Sequence, residues 1–267
     1  MKAPYISKIR LYPVKSLDPV EVNEAEIGIR SLKHDRAFAM VAEDRRYVNG
    51  KRTGRVNQLG TTYDLDKRLI SLTPTASGIT QTFELREGNK ELNGYLENYF
   101  KIKLKLYHRT KGELMDIPGA SSVTILGEAS LQSLHADLSG HTLEDLRLRF
   151  RANLELSGTS PFWEENLFET PGTGVRFKVG DDVEMIGISP RARCNVPPRN
   201  PLTGETDKSF VKNMIKSRAN SLPEDSTLST HGEHLYYLSV NTYLSESEVG
   251  KLITLGDTIE IIDTISL

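Results

Sequence analysis

Short runs of alternating apolar and polar residues, broken at close intervals by turn formers, constrain this chain more than any other feature. Residues 5–13 set the pattern. Ile9, Leu11 and Pro13 fall on one side of a strand and Lys8, Arg10 and Tyr12 on the other, and Pro13 ends it. Val20 to Ile29 alternates again, with Gly28 marking a bulge. Arg36 to Ala42 predicts a third strand, and further strands are expected near 69–73 and 79–85. Tyr47 to Arg52 carries an Asn49-Gly50 turn signal for a hairpin. Strands this short and this closely spaced predict a barrel or sandwich.

Helical periodicity is confined to a few segments. Leu92, Leu96, Tyr99 and Phe100 form an apolar stripe over 90–100, followed by alternation at Ile102, Leu104 and Leu106. Residues 109–120 are mixed and turn-rich, which places a domain boundary there and divides the chain into 1–112 and 113–267. Beyond it, Val123 to Leu126 predicts a buried strand, 128–138 and 207–219 predict helices, and 150–156 and 235–243 predict strands. Val179-Gly-Asp-Asp-Val-Glu-Met-Ile186 echoes Leu255-Gly-Asp-Thr-Ile-Glu-Ile-Ile262, as two similar hairpins of one sheet would. The expected fold is mainly β with a few helices.

Composition narrows the function classes. Lysine and arginine number 34 against 36 aspartate and glutamate, a net charge of −2 that calls for neither nucleic acid nor a membrane surface. The N-terminus has no apolar signal core, and no run of about 18 apolar residues occurs, so no membrane insertion and a cytoplasmic location are expected. There is no P-loop, dinucleotide fingerprint or Gly-x-Ser-x-Gly elbow. His231-Gly-Glu-His234 lacks the helical spacing of a zinc pair.

The single cysteine, Cys194, rules out an intrachain disulfide. It opens a loop stiffened by Pro197, Pro198 and Pro201 and flanked by Arg191, Arg193 and Arg199. Cations lower a cysteine pKa, and the thiolate is a nucleophile or a soft metal ligand. The bland alternative is a small buried hydrophobe. Arg149, Arg151 and Asn153, two apart, would share one face of a strand, where they would suit an anion or lie on a solvated face. Arg45, Arg46, Lys51, Arg52 and Arg55 form a basic cluster open to the same two readings.

Taken in order, Tyr12-Pro-Val-Lys-Ser16, Asp35-Arg36 with Phe38 and Met40, the strand and helix over 122–134, Phe150-Arg-Ala-Asn153, and Arg193-Cys194 with Pro198, Asn200-Pro201 and Thr203-Gly204 resemble the MOSC family, the molybdenum cofactor sulfurase C-terminal domain family. The resemblance is to two-part members, in which a smaller N-terminal β-barrel-like domain precedes the MOSC β-barrel. Lys51-Arg52 and Ala152 depart from the family's usual residues at those places. The resemblance implies a molybdenum cofactor (Mo-molybdopterin), with Cys194 as the molybdenum ligand and catalytic residue. It implies Lys15, Ser16, Arg36, Arg151 and Asn153 as cofactor-binding residues. It further implies an oxidoreductase acting on N-hydroxylated or other N-oxygenated small molecules, as amidoxime-reducing members do. Electrons are expected from a separate reductase or ferredoxin-like protein, because the chain ends at Leu267 without a ferredoxin-like domain. The alternatives are a cofactor or sulfur carrier using a Cys194 persulfide without redox turnover, and a non-enzymatic binding module.

Overall fold

The computed structural model describes residues 3–109, 123–224 and 226–267, so the expected boundary at 112/113 and the first residue of the 122–134 run lie outside the described residues. The first part of the chain forms β1 (Tyr5–Leu11), β2 (Val20–Val22), β3 (Glu24–Glu26), β4 (Phe38–Ala42), β5 (Leu59–Asp64), β6 (Leu69–Pro74), β7 (Gln81–Glu84), α1 (Lys90–Phe100) and β8 (Leu104–His108). The second forms β9 (Thr124–Gly127), α2 (Glu128–Asp137), α3 (Leu143–Phe150), β10 (Leu154–Ser157), β11 (Thr173–Val179), β12 (Val183–Ala192), α4 (Phe210–Ser221), β13 (Tyr237–Tyr243), β14 (Leu252–Thr254) and β15 (Ile259–Ser266). The protein is mainly β, as the alternation predicts.

Eight strands form one sheet in the order β15-β11-β12-β13-β9-β10-β1-β2, and its ladder does not close. Two N-terminal strands, β1 and β2, belong to it through the antiparallel pairing of β1 with β10, and β3 pairs with β14 in a separate two-stranded sheet. Hydrogen bonding therefore crosses the sequence division, and Ile6, Ile9 and Leu11 share a core with Ile125, Leu154, Phe177 and Val240. A second core, with Val14, Phe38, Met40, Leu72, Leu96 and Leu106, lies among β4–β8 and α1. A third packs α2, α3 and α4 together through Leu131, Leu146, Phe150 and Phe210. Each such side chain, fully buried, contributes about 1.5–3 kcal/mol. The late echo becomes the two Gly-Asp turns at 180–181 and 256–257, leading into β12 and β15 on either side of β11.

Three expectations change. Residues 150–156 do not form one strand. Thr142 accepts a hydrogen bond from the Asp145 amide and caps α3, whose buried Leu146 and Phe150 lie four apart, so Arg149 ends a helix. Only from Leu154 does the alternating strand begin. The Asn49-Gly50 pair does not join two strands: the chain reverses earlier, where the Ala42 amide reaches the Arg46 carbonyl at 2.9 Å, and Asn49 instead caps a turn with its side chain. Ile102 lies outside β8 and is exposed.

Gly54 and Gly204 bring the backbones of the two parts close together. A Cβ on Gly204 would lie 2.3 Å from the Gly54 carbonyl oxygen, and Gly204 has φ of +74°. Gly204→Ala should therefore cost roughly 2–4 kcal/mol in urea unfolding, against about 1 kcal/mol for Gly172→Ala, whose positive φ is matched by open space.

Beneath α4, the fully buried Arg218 pairs with Glu165 and lies 3.8 Å from the Phe162 ring centroid. Burial pushes the Glu165 carboxyl up to about 7, against the pull of Arg218 and with a further push from Glu164. The folded state then favours the protonated carboxyl, so this contribution is full below the ordinary value of 4.5 and is lost as pH rises through about 7. The melting temperature should fall between pH 5 and pH 8, with a shallower slope in Glu165→Gln, as calorimetry at stepped pH would measure.

Candidate functional site

The site is assembled from three stretches: the paired loops after β1 and before β4, the loop after α3, and the loop that carries Cys194. After β1, the Tyr12 amide donates to Asp35 Oδ1 at 2.9 Å, the Arg36 amide to the Tyr12 carbonyl at 2.8 Å and the Lys15 amide to the Phe38 carbonyl at 2.8 Å. This short parallel pairing sets Lys15 and Ser16 beside Arg36. Both Ser16 (φ 73°) and Arg36 (φ 49°) adopt the left-handed conformation, which costs a non-glycine residue about 1 kcal/mol or more and tends to be held at functional positions. Lys15 Nζ lies 4.5 Å from the Tyr47 ring centroid.

The second stretch follows α3. Arg151 caps the helix with φ of 55° and donates through Nη2 to the Leu17 carbonyl at 2.8 Å. Arg36 donates to Asp35, to Asn153 Oδ1 at 3.0 Å and to the Arg151 carbonyl at 3.1 Å. Asn153 is 1% exposed and spends its amide on the frame, donating to the Arg10 carbonyl and to Asp35 Oδ1. It lies behind the cleft wall, whereas Arg151 lines it.

The third stretch carries Cys194. It leaves β12 with the Arg193 amide bonded to the Tyr236 carbonyl at 3.0 Å. Buried Arg149 holds the proline segment, donating through Nη1 to the Pro197 and Arg199 carbonyls at 2.7 and 2.9 Å. Arg199 Nε in turn donates to the Gly50 carbonyl at 2.7 Å, tying the loop to the N-terminal part. Cys194 is exposed. Arg193 donates through Nη2 to the Phe150 carbonyl at 2.8 Å, while its Nε and Nη1 are buried without a partner.

Lys15, Ser16, Arg36, Arg151 and Cys194 thus line one cleft, with Lys51, Arg149, Arg191 and Arg193. No carboxylate occurs among the described lining residues. Burial pulls both Arg151 and Arg193 below the usual guanidinium range, and an anion lying against them would restore what desolvation costs. Arg193 was legible only as a neighbour of the cysteine, and nothing in the sequence pattern aimed Arg149 at the loop carbonyls. Arg191 donates to Asn241 Oδ1 at 2.9 Å.

A cofactor that brings a metal with most of its ligands fits this donor set. The cleft offers one exposed thiol and several cations, and its lining residue Arg193 has two guanidinium nitrogens buried without a partner. Among the described residues no three His, Cys, Asp or Glu side chains form a self-sufficient metal cluster. His231 is bonded to the Glu169 carbonyl and His234 stacks on Tyr237.

Comparison with known proteins agrees with the family read from the motifs. Residues 3–104 match the family model of the MOSC N-terminal beta barrel domain. Molybdenum cofactor sulfurase of Caenorhabditis briggsae is 25% identical over 229 residues, covering 78% of this chain and 31% of that protein. Mitochondrial amidoxime reducing component 2 of Bos taurus is 25% identical over 252 residues, covering 79% of this chain and 71% of that protein. The chain spans about three-tenths of the length of the curated sulfurases it matches. The solved YUAD protein from Bacillus subtilis aligns over 97% of this chain and 96% of its own at 9% identity, with a TM-score of 0.41, too low to argue from.

Asp35 and Asn153 should behave as framework residues. Asp35→Ala should cost about 3–5 kcal/mol and Asn153→Ala roughly 2–3 kcal/mol in urea unfolding, because each leaves buried donors or a buried cation unpaired. An Asn153→Ala protein of unchanged stability would contradict this placement.

Proposed function

We propose that this chain is a molybdenum-cofactor-dependent oxidoreductase that reduces N-hydroxylated or other N-oxygenated small molecules with electrons from a separate reductase or ferredoxin-like partner. The observation that carries this reading is the cleft itself, where an exposed thiol sits at the rim of a wall of lysine and arginine side chains. When bound, the cofactor supplies the oxygen-atom and electron chemistry. Lys15, Ser16, Arg36 and Arg151 would hold its anionic part, and the two unpaired N–H groups of Arg193 would complete that wall. Cys194 would ligate the metal as thiolate, and Arg149 would keep the sulfur in place through the loop carbonyls. The similarity to mitochondrial amidoxime reducing components supports the substrate class.

The exposure of Cys194 also favours a second reading, in which the sulfur carries a persulfide or the protein delivers the cofactor, in keeping with its similarity to molybdenum cofactor sulfurases. Protein from a cofactor-competent host should contain about one molybdenum and one pterin per chain, with molybdenum reduced at least about tenfold in Cys194→Ala. A persulfide on Cys194 without molybdenum, found by mass spectrometry, would support the second reading. Neither molybdenum nor pterin in the wild type would overturn both cofactor readings.

Among the described residues no helix is long and apolar enough to cross a membrane.

A further inference from the structure

We infer that Tyr12 is a positioning residue, its ring being the surface on which Arg36 and Arg151, one guanidinium from each part of the chain, are held together for an anionic, phosphate-bearing ligand. Tyr12 is fully buried. The Arg36 guanidinium carbon lies 4.7 Å from its ring centroid and that of Arg151 lies 4.1 Å away. Two cations brought this close repel, and the negative face of an aromatic ring attracts each of them. Arg36 has Asp35 as a carboxylate partner. Arg151 has a backbone carbonyl, that of Leu17, the ring, and the Asp18 carboxylate near enough to favour its charge against burial. The tyrosine hydroxyl makes one long bond, to the Ala152 carbonyl at 3.3 Å, so the ring and not the hydroxyl is the part that acts on the two cations.

The ring is placed by the same frame that shapes the cleft. The Tyr12 amide is bonded to Asp35 and the Tyr12 carbonyl to the Arg36 amide. The Arg36 guanidinium also donates to the Arg151 carbonyl, which couples the two residues by a hydrogen bond as well as across the ring. Tyr12 does not itself line the cleft. It acts on a ligand only through the arginines, and this rests on the reading of the cleft as an anion site, not on molybdenum.

The test uses the full chain made in a host that cannot synthesise the cofactor, titrated with pyrophosphate by calorimetry. Tyr12→Phe keeps the ring and should bind within about twofold of wild type. Pentafluorophenylalanine at position 12 keeps the shape but withdraws the negative face, and should bind about tenfold or more weakly. Tyr12→Leu should weaken binding as much in the wild-type background, and add little in the Arg36→Gln/Arg151→Gln background. A purely structural role would lower the melting temperature without responding to ring fluorination. Equal affinity for the Phe and pentafluoro proteins, additivity of Tyr12→Leu with the double substitution, or no pyrophosphate binding by wild type would overturn the inference. Absence of molybdenum from protein made in a competent host would overturn the enzymatic reading and leave the pyrophosphate series unchanged.

Discussion

The buried carboxylate of Asp35 is the interaction on which the cleft depends. An isolated buried charge is costly unless paired and hydrogen-bonded, and Asp35 has the Tyr12 amide, the Asn153 side-chain amide and the Arg36 guanidinium around it. Those three groups come from the loop after β1, the approach to β10 and the loop before β4. One carboxylate therefore joins both parts of the chain at the place where the cations converge. Arg36 then passes the constraint on to Arg151 through its carbonyl.

The cysteine loop is held by an independent set of bonds. Three prolines limit its backbone, but the direction of the loop is set by Arg149 from inside and by Arg199 across to Gly50. Its two nearest arginines, alternating with Cys194, do different work: Arg191 bonds to Asn241, and Arg193 lines the cleft with two guanidinium nitrogens buried without a partner. A lone thiol would be weak ground for a site. A thiol in a cleft whose described lining residues include several cations and no carboxylate suits an anionic partner.

Much of the fold was legible because periodicity reports burial. The alternation at 5–13 and 36–42, the stripe of α1 and the apolar spacing of α4 all survive as elements. α3 was missed because Arg149, Arg151 and Asn153 at two-residue spacing imitate a strand face, while the signals that decide the matter, Thr142 as a cap and Leu146 with Phe150 as a stripe, lie upstream. The spacing did gather cations near one another, for a reason other than the expected one: a helix end and a left-handed cap deliver Arg149 and Arg151 in different directions. The family resemblance implies Asn153 as a cofactor contact, and its side chain here bonds inside, to Arg36, the Arg10 carbonyl and Asp35. Left-handed conformations at Ser16, Arg36 and Arg151 leave no trace in sequence, since nothing but tertiary contacts holds a non-glycine residue there.

The central claim, that this wall and this sulfur together hold a molybdenum cofactor, is tested most directly by the X-ray absorption spectrum of molybdenum in the purified protein. The account predicts a sulfur ligand in wild type that is missing when Cys194 is replaced by serine, with pterin still bound. An identical sulfur shell in the two proteins would contradict it.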